Sequence, residues 1–260
     1  MRRPQLHEKA LQSRRPAARD KAAASERIGE FYSLLYKAFG PQGWWPVTPS
    51  GGKLPVYLPG SYAPRAGREQ FEICAGAILT QNTAWTNVEK ALAALNSAGL
   101  LDAGRIAVCP LPRLERAIKS SGYFRQKARR LKDFCRRARR EHPEGFRRWF
   151  AAGGSASLRA ELLSYKGVGP ETADSMVLYA AGKASFVIDA YTRRLGERAG
   201  LARGLGYDGW KALFEGALTP DVKVYNEYHA LLVKLGKDFC KKTKPLCGPC
   251  PLGKVCRKLV

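Results

Sequence analysis

The end of the chain carries four closely spaced cysteines, Cys240, Cys247, Cys250 and Cys256, in the pattern Cys-x6-Cys-x2-Cys-x5-Cys. Prolines and glycines stand between them, which predicts a tight irregular loop rather than four separate thiols in a core. Four thiolates in such a loop can hold one zinc ion or an iron–sulfur cluster. Zinc sites usually pair two Cys-x2-Cys units, and only one is present, so the pattern favours a cluster. We therefore expect the last part of the chain to fold around a metal centre.

The other cysteines indicate a reducing environment. The chain has seven cysteines, an odd number that disulfides alone cannot use up. It shows no apolar run of about 18 residues and no secretory leader, so we expect a soluble protein with no membrane partner, in the cytoplasm with the nucleoid. Cys74, Cys109 and Cys135 lie outside the terminal set. Cys74 stands in an apolar helical pattern and is most simply a packed thiol.

The charge of the chain predicts a polyanionic partner. Lys and Arg number 45 against 22 Asp and Glu, which gives a formal net charge of +23. A surface charged only for solubility would mix the two signs, so the excess favours nucleic acid over an anionic membrane. Residues 1–27 are rich in Arg and Ala, and we expect a basic flexible arm. An organelle transit peptide is disfavoured by Glu8, Asp20 and Glu26.

Helical periodicity dominates the rest of the chain, which predicts an all-α protein. A first helix starts near Ser25 and ends at Gly40-Pro41, and residues 46–68 form a Pro/Gly-rich loop of a length that is usually functional or disordered. The segment from Ser185 to Ile188 could be a short strand or an extended connector. The further predicted helices are Phe71 to Leu79, Thr86 to Gly99, Leu111 to Ser120, Tyr123 to Glu141, Ser157 to Tyr165, Pro170 to Ala181, Ala190 to Gly200, Tyr207 to Leu218 and Tyr225 to Phe239.

Two of these helices are joined by Lys166-Gly167-Val168-Gly169, with Pro170 suited to the first position of the second helix. The glycines allow a sharp turn and a close approach to another surface, and the free amides at the following helix N-terminus can donate to a phosphate. An ordinary helix connection has the same pattern. In a strongly basic chain we favour a helix-hairpin-helix that grips the DNA backbone without reading the sequence.

The apolar stretch Phe186-Val187-Ile188 leads to Asp189 at the start of the next helix. An aspartate at this position is commonly an N-cap. It can also supply a fixed negative charge, because a helix N-terminus favours the ionised carboxylate. The two roles are compatible, so Asp189 is a candidate for both.

The hairpin, the connector and the following Val-Ile-Asp-Ala-Tyr resemble the endonuclease III superfamily of helix-hairpin-helix DNA glycosylases, over roughly residues 28–256. The resemblance implies a two-domain helical fold with the active site in the interdomain cleft. Residues 28–68 and 184–260 would form a discontinuous domain with the metal loop. Residues 69–183 would form a second domain that ends in the hairpin.

The same resemblance implies that the four terminal cysteines bind a [4Fe-4S] cluster, and that a monomer binds double-stranded DNA containing a damaged base. Breaking an N-glycosidic bond builds positive charge on the sugar, which a nearby carboxylate stabilises while it helps to orient water. Asp189 is therefore the expected catalytic residue. Lys166, Gly167, Val168, Gly169 and Thr172 are the expected contacts of the hairpin with DNA.

Lyase members of this superfamily carry a lysine two positions after the second hairpin glycine, where this chain has Glu171. A carboxylate cannot form a Schiff base, so the resemblance predicts a monofunctional enzyme that uses water as the nucleophile. Lys166 precedes the hairpin and leaves open a residual lyase activity.

Several segments are similar to the 3-methyladenine DNA glycosylases of the superfamily. They are Trp44 to Pro46, Ile78 to Thr83, Ser121 to Ala128 and Lys166 to Asp174. Alkylated purines are cationic and leave easily, so a pocket mainly has to recognise them, by aromatic stacking and cation–π attraction. Trp44 and Trp45 are therefore candidates for the base pocket, with the alternative that they only cover the core, and Phe71 would complete the pocket. The similarity also places Lys237 there, although its positive charge would repel a cationic base.

By the same similarity, Gln81 would fill the gap left by the flipped nucleotide, and Tyr123 or Phe124 would wedge into the opposite strand. The alternatives are a polar helix cap for Gln81 and core packing for Phe124.

Two other functions stay open. One is a glycosylase for uracil, mismatched thymine or oxidised pyrimidines, and the other is a non-catalytic module that binds DNA or senses redox state.

Overall fold

The computed structural model describes residues 18–62 and 65–260, and its regular structure is helical, which confirms the all-α prediction. Within these residues the only strand-like pairing is one isolated bridge between Val47 and Val56, and residues 182–189 are an extended connector. No helix of the described ranges is long and apolar enough to cross a membrane. The helices are α1 (Ala18–Phe39), α2 (Gly67–Leu79), α3 (Trp85–Ser97), α4 (Ala103–Val108), α5 (Leu111–Ala117), α6 (Phe124–Glu141), α7 (Phe146–Ala151), α8 (Ser155–Leu163), α9 (Pro170–Ser175), α10 (Ala190–Ala199), α11 (Tyr207–Ala217) and α12 (Val222–Asp238).

Helix α1 begins at Ala18 rather than near Ser25, so the prediction of a flexible arm is wrong for residues 18–27. This segment is rich in alanine, the residue with the highest helix propensity, and it extends the helix before the first large apolar side chain. Ile28, Phe31 and Leu35 are fully buried and form the predicted stripe. Residues 1–17 of the predicted arm lie outside the described residues.

The helices pack in two groups. In the first, α1 packs on α11 and α12, and α12 packs on α10. In the second, α2 packs on α3, α6 and α7, and α6 packs on α4 and α5. Residues from Gln70 to Leu79 of α2 are all buried, as expected for a helix surrounded by others. A π-helical turn, Met176–Ala180, continues α9 and packs on both α2 and α12. The division into a domain of residues 28–68 and 184–260 and a domain of residues 69–183 stays a prediction.

Two short helices were not predicted, α4 and α7, because six residues are too few to establish a helical period. Helix α4 is started by Asp102, whose side chain accepts the backbone N–H of Arg105 at 2.8 Å. Helix α7 follows Gly145 and packs on α2, where the rings of Phe146 and Phe71 lie 5.5 Å apart. The nine helices predicted after the loop are all present, with small differences at their ends.

A buried lysine joins three segments of the second group. Lys127 of α6 is 2% exposed, and its ammonium donates to the carbonyls of Leu79 at 2.7 Å and Ser121 at 2.6 Å, and to the hydroxyl of Thr83 at 2.6 Å. Burial, followed by the charge of Arg130, lowers the pKa of Lys127 to about 8. The three hydrogen bonds fix the end of α2 against the turn before α6.

Replacing Lys127 with Met should destabilise the fold by about 3 kcal/mol, because the carbonyl of Leu79 and the hydroxyl of Thr83 lose this donor, and the carbonyl of Ser121 keeps only that of Thr83. The free energy of unfolding in urea measures this change. Arg129→Met, on the exposed side of the same helix, should change it by less than about 0.5 kcal/mol. A Lys127→Met protein as stable as the wild type would show that the three hydrogen bonds contribute no net stability.

Candidate active site

The turn between α8 and α9 forms the predicted hairpin. Gly167 has a φ of 85°, in the left-handed region that favours glycine, and a Cβ there would lie 2.8 Å from Cδ of Arg130. Gly169 is the N-cap residue of α9, and Pro170 lies in its first turn, as predicted. Val168 is buried in the core, whereas the backbone of the two glycines remains partly accessible. The hairpin is thus fixed on its inner side and open on the other.

Gln81 is held against this hairpin. Its Nε2 donates to the carbonyl of Gly167 and to Oγ1 of Thr172, both at 3.0 Å, and its Oε1 accepts from Arg130 at 2.9 Å. The structure therefore brings Gln81, Gly167 and Thr172 together, but the side-chain amide of Gln81 is already bonded within the protein. The next residue, Asn82, is exposed and has a φ of 52°.

The two wedge candidates differ in exposure. Tyr123 is 72% exposed with a φ of 43° and stands directly before α6. Phe124 is partly buried against the hydrophobic core. Lys166 is exposed at the hairpin. Of the two aromatic rings, that of Tyr123 is therefore the one that reaches outward from this face.

A buried carboxylate connects the hairpin to the connector before Asp189. Asp174 of α9 is fully buried, and its Oδ1 lies 3.0 Å from Nε of Arg159 and 3.2 Å from Nζ of Lys211. The hydroxyl of Ser185 also donates to it, at 2.5 Å. These groups come from α8, α11 and the connector. They fix the connector relative to the hairpin.

Asp189 lies at the end of this connector and is 8% exposed. It is the N-cap residue of α10, and its Oδ1 accepts the backbone N–H of Thr192 at 2.7 Å. Burial raises the pKa of Asp189, but the side chain of His229 and the N–H of Thr192 outweigh burial and hold the pKa below its usual range. The carboxylate is therefore a fixed negative charge at neutral pH, as the cap position predicts.

A second carboxylate, Glu171, stands near Asp189 with a different proton affinity. Its side chain is exposed to solvent at one side, yet loss of hydration raises its pKa to about 7, and the charge of Asp189 adds to this rise. His229 and Arg193 act in the opposite direction. Two carboxyl groups whose pKa values lie apart can serve as a charged and a proton-carrying group in one site.

His229 of α12 faces the other oxygen of Asp189. Its Nε2 lies 3.7 Å from Oδ2 of Asp189, and its Nδ1 lies 2.6 Å from the hydroxyl of Tyr179. Both Tyr179 and His229 are buried, and within the described residues Nε2 of His229 has no hydrogen-bond partner. Neither Tyr179 nor His229 is predicted from the sequence, because a single His or Tyr on a buried helix face is usually a packing residue.

An aromatic cluster lies beside Tyr179. The Trp45 ring is 5.2 Å from the Tyr179 ring and 5.0 Å from the Trp85 ring, and the Trp44 ring is 5.0 Å from Trp85. The Lys237 ammonium lies 6.0 Å from the centre of the Trp44 ring. The structure thus brings Trp44, Trp45 and Lys237 together. Trp45 is buried and Trp44 is half-buried, so the Trp44 ring is the more accessible one.

Phe71 does not share this position. It is 2% exposed and packs on Phe146 in the core between α2 and α7. A phenylalanine at the start of an apolar helix has the same sequence pattern in a core as in a pocket, so the pattern alone could not separate these roles.

Two buried glutamates hold the loop that carries the tryptophans. Glu227 accepts the backbone N–H of Gln42 at 2.8 Å and the hydroxyl of Tyr62 at 2.5 Å, so it binds the loop near both ends. Glu72 accepts the hydroxyl of Thr48 at 2.6 Å and its N–H at 3.0 Å. Both glutamates are fully buried. Carboxylates from α12 and α2 therefore bind this part of the chain at Gln42, Thr48 and Tyr62.

The four terminal cysteines line one partly open cavity. Apolar side chains form much of the rest of its wall, among them Leu195, Phe239 and Leu252. No three of the four sulfurs lie within 4.8 Å of one another. Four sulfurs on one zinc ion would lie roughly 3.8 Å apart, given Zn–S bonds of about 2.3 Å. The sulfurs are therefore not arranged as in a zinc site, and the shared cavity is where they could all bind one group.

The remaining three cysteines are buried elsewhere and are not ligands of this cavity. Burial raises the pKa values of the Cys74 and Cys135 thiols well above their usual range, so both are uncharged packing residues. A Cβ on Gly253 would lie 2.7 Å from the carbonyl of Cys247. The cysteine loop thus needs a glycine at this position to close.

Comparisons with known proteins agree with this architecture. The model of the family described as HhH-GPD superfamily base excision DNA repair protein matches residues 75–217. A protein of Methanocaldococcus jannaschii that is named as a DNA repair glycosylase is 38% identical over 232 residues, 89% of this chain and 96% of that protein. Endonuclease III of Bacillus subtilis is 30% identical over 57% of this chain and 64% of its own length.

Solved structures share the fold. A trapped covalent intermediate of endonuclease III with DNA is 20% identical, with a TM-score of 0.68, over 90% of this chain and 96% of that one. A 3-methyladenine DNA glycosylase of H. pylori, bound to 1,N6-ethenoadenine, is 24% identical, with a TM-score of 0.63, over 82% of this chain and 97% of that one. These likenesses confirm the predicted endonuclease III-like fold.

Proposed function

Since the chain belongs to the HhH-GPD superfamily of base excision DNA repair proteins, we propose that it is a monofunctional DNA glycosylase that hydrolyses the N-glycosidic bond of alkylated purines such as 3-methyladenine. One observation carries the proposal. Asp189 is a buried carboxylate, held ionised, beside the aromatic cluster and next to a hairpin suited to the DNA backbone. No other charged group of the described residues combines these properties.

The chemistry follows from this charge. When the bond between C1′ of the sugar and the base nitrogen breaks, its electrons leave with the base and positive charge develops on the sugar. Asp189 stabilises that charge from a position that the backbone N–H of Thr192 already holds. Water then adds to C1′, and the carboxylate accepts the proton that water loses. The products are an abasic sugar and the free base.

The aromatic cluster supports an alkylated purine as the substrate. The Trp44 ring already holds the ammonium of Lys237 over its face. The half-buried face of Trp44 also suits the delocalised cation of an alkylated purine, which adds stacking area, but the cationic base would have to displace the Lys237 ammonium from that face because like charges repel. The fold is shared with a 3-methyladenine glycosylase that was solved with a modified purine, which is consistent with this choice.

The hairpin face supports duplex DNA as the partner. Gly167 and Gly169 offer backbone to the phosphates, and Lys166 adds a positive charge at the same turn. The exposed Tyr123 ring is the proposed wedge between base pairs. For Gln81 to fill the gap left by the flipped nucleotide, its side chain would exchange the bonds to the hairpin for bonds to DNA.

The cysteine cavity is proposed to hold a [4Fe-4S] cluster on Cys240, Cys247, Cys250 and Cys256. Such a cluster, when bound, would act as a structural cross-link of the loop. The loop also carries many cations, which would face the phosphates of DNA. These are Lys241, Lys242, Lys244, Lys254, Arg257 and Lys258.

Base release from a panel of duplexes tests the substrate. DNA containing 3-methyladenine should lose the base, and duplexes with uracil, mismatched thymine or thymine glycol should lose none. Asp189→Asn should slow release by about 100- to 1,000-fold and leave DNA binding intact, since Asn is also a good N-cap. Base release from the uracil, thymine or thymine glycol duplexes alone would show that the substrate is a pyrimidine and not an alkylated purine. Release from none of the duplexes would support the non-catalytic alternative.

Borohydride trapping tests the monofunctional mechanism. With Glu171 in place of the lyase lysine, the wild-type protein should give no covalent adduct with damaged DNA. Glu171→Lys supplies an amine at that position and serves as the positive control for trapping. If the wild type forms an adduct that Lys166→Ala abolishes, then Lys166 is a nucleophile and the enzyme is also a lyase.

Metal analysis of protein purified without air tests the cluster. We expect iron and acid-labile sulfide in equal amounts, with a brown colour. Cys247→Ala should lose most of the iron, whereas Cys109→Ala, at a buried thiol outside the cavity, should keep it. A colourless wild-type protein that contains zinc would contradict the assignment.

A further inference from the structure

His229 faces Asp189 in a geometry suited to holding the Asp189 carboxylate in place. Asp189 has two oxygens, and Oδ1 is bonded to the backbone of Thr192. Oδ2 faces Nε2 of His229 at 3.7 Å, and this ring nitrogen is buried with no other partner in the described residues. A buried N–H without an acceptor costs stability, so its position beside a carboxylate needs an explanation.

The proton on the His229 ring can be assigned from its other contact. The hydroxyl of Tyr179 lies 2.6 Å from Nδ1 of His229. Burial, with the charges of Asp189 and Glu227, raises the pKa of Tyr179 well above its usual range, so the phenol keeps its proton. That hydroxyl also lies 3.5 Å from the carbonyl of Asn226, and the much shorter contact assigns its hydrogen to Nδ1 of His229. In a neutral His229, Nδ1 is then the acceptor and Nε2 carries the hydrogen.

We propose that His229, oriented by Tyr179, is a positioning residue that directs its Nε2–H at Asp189 and so keeps the catalytic carboxylate ionised and in a fixed orientation. The inference rests on the proposed function, because it assigns a role within that reaction. The 3.7 Å distance is longer than a hydrogen bond, and a shift of less than about 1 Å would close it. Contacts of this kind often tighten once the substrate is bound.

Tyr179 also connects this device to the base pocket. Its ring lies 5.2 Å from the Trp45 ring, and Trp45 packs on the rest of the aromatic cluster. A base stacked on this cluster would also push against the ring of Tyr179, the residue that orients His229. The chain of contacts from the pocket through Tyr179 and His229 to Asp189 therefore gives a physical route by which an occupied pocket could set the carboxylate.

Other charged groups face the pair and must be considered in a pH experiment. Glu171 on α9 and Arg193 on α10 both interact with this site, and Glu227 on α12 lies near Tyr179. His229 and the N–H of Thr192 lower the pKa of Asp189, whereas burial raises it. Removing His229 should therefore raise the pKa of Asp189. As the pH is lowered, the variant should lose activity at a higher pH than the wild type does. His229 also lowers the pKa of Glu171, so its removal should raise the pKa of both carboxyl groups, and the NMR titration of Asp189 described below separates the two effects.

Single-turnover base release across pH tests the proposal. His229→Leu should slow release by about 100-fold, because a displaced catalytic group costs about that much, and should move the acid limb to higher pH. His229→Gln keeps an N–H donor and should recover much of the rate. The release rate of Tyr179→Phe should lie between the rates of His229→Leu and the wild type. DNA binding and thermal unfolding are measured in parallel.

The control is His142→Leu, because His142 is bonded to Glu161 and stacks on Trp149, away from Asp189. It should leave the rate and the acid limb unchanged. His229→Leu with the wild-type rate and profile would overturn the proposal. A slow His229→Leu with an unshifted acid limb and no recovery in His229→Gln would also overturn it, as this would indicate a packing role only.

A second measurement does not depend on turnover. The side-chain carboxyl carbon of Asp189 can be titrated by NMR in the wild type and in His229→Leu, both without DNA. The proposal expects a higher pKa for Asp189 in the variant, and equal values would overturn it. If the wild type releases no base from any duplex, the proposed function fails, while this titration still decides whether His229 acts on Asp189.

Discussion

An ionised carboxylate can stay buried only if protein donors replace the water that it has lost. Asp189 is in this situation, and the polar groups that face its two oxygens come from two helices. Thr192 of α10 binds one oxygen, and His229 of α12 faces the other. The N-terminus of α10 adds its positive end. The active site therefore requires α10 and α12 to lie side by side, and these two helices do pack directly on each other.

Helix α12 links this requirement to the rest of the site. Glu227 binds both ends of the loop that carries the tryptophans, His229 faces Asp189, and Lys237 lies over Trp44. Cys240 begins the cysteine loop two residues after the helix ends. The residues from Tyr225 to Leu232 are all buried, which leaves no freedom to rotate the helix without breaking these contacts. A single helix, α12, therefore positions the loop that carries the tryptophans, the Asp189 carboxylate and the start of the cysteine loop.

The sequence could predict those parts of the molecule that depend on local chemistry. Pro170 in the first turn of α9 and Asp189 as an N-cap follow from rules that act within one helical turn, and the structure has both. The roles of Gln81, Phe71 and His229 depend on what lies opposite in space. Gln81 is bonded to a hairpin about ninety residues away in the chain, and no pattern around it indicates this. The start of α1 was placed late because the apolar stripe, and not the alanine-rich segment before it, gave the periodic signal.

The position of the cysteine loop argues for a structural role. Arg194 and Arg198 of α10 donate to the carbonyls of Cys240, Lys241 and Lys242 and so fasten the loop to the C-terminal part of the helix. Asp189 stands at the N-terminus of the same helix, and ten residues of α-helix span about 15 Å. A group held by the cysteines is therefore too far away to touch a sugar at Asp189. It can still act on the proposed reaction by holding in place the C-terminal part of the helix that carries the proposed catalytic carboxylate at its other end.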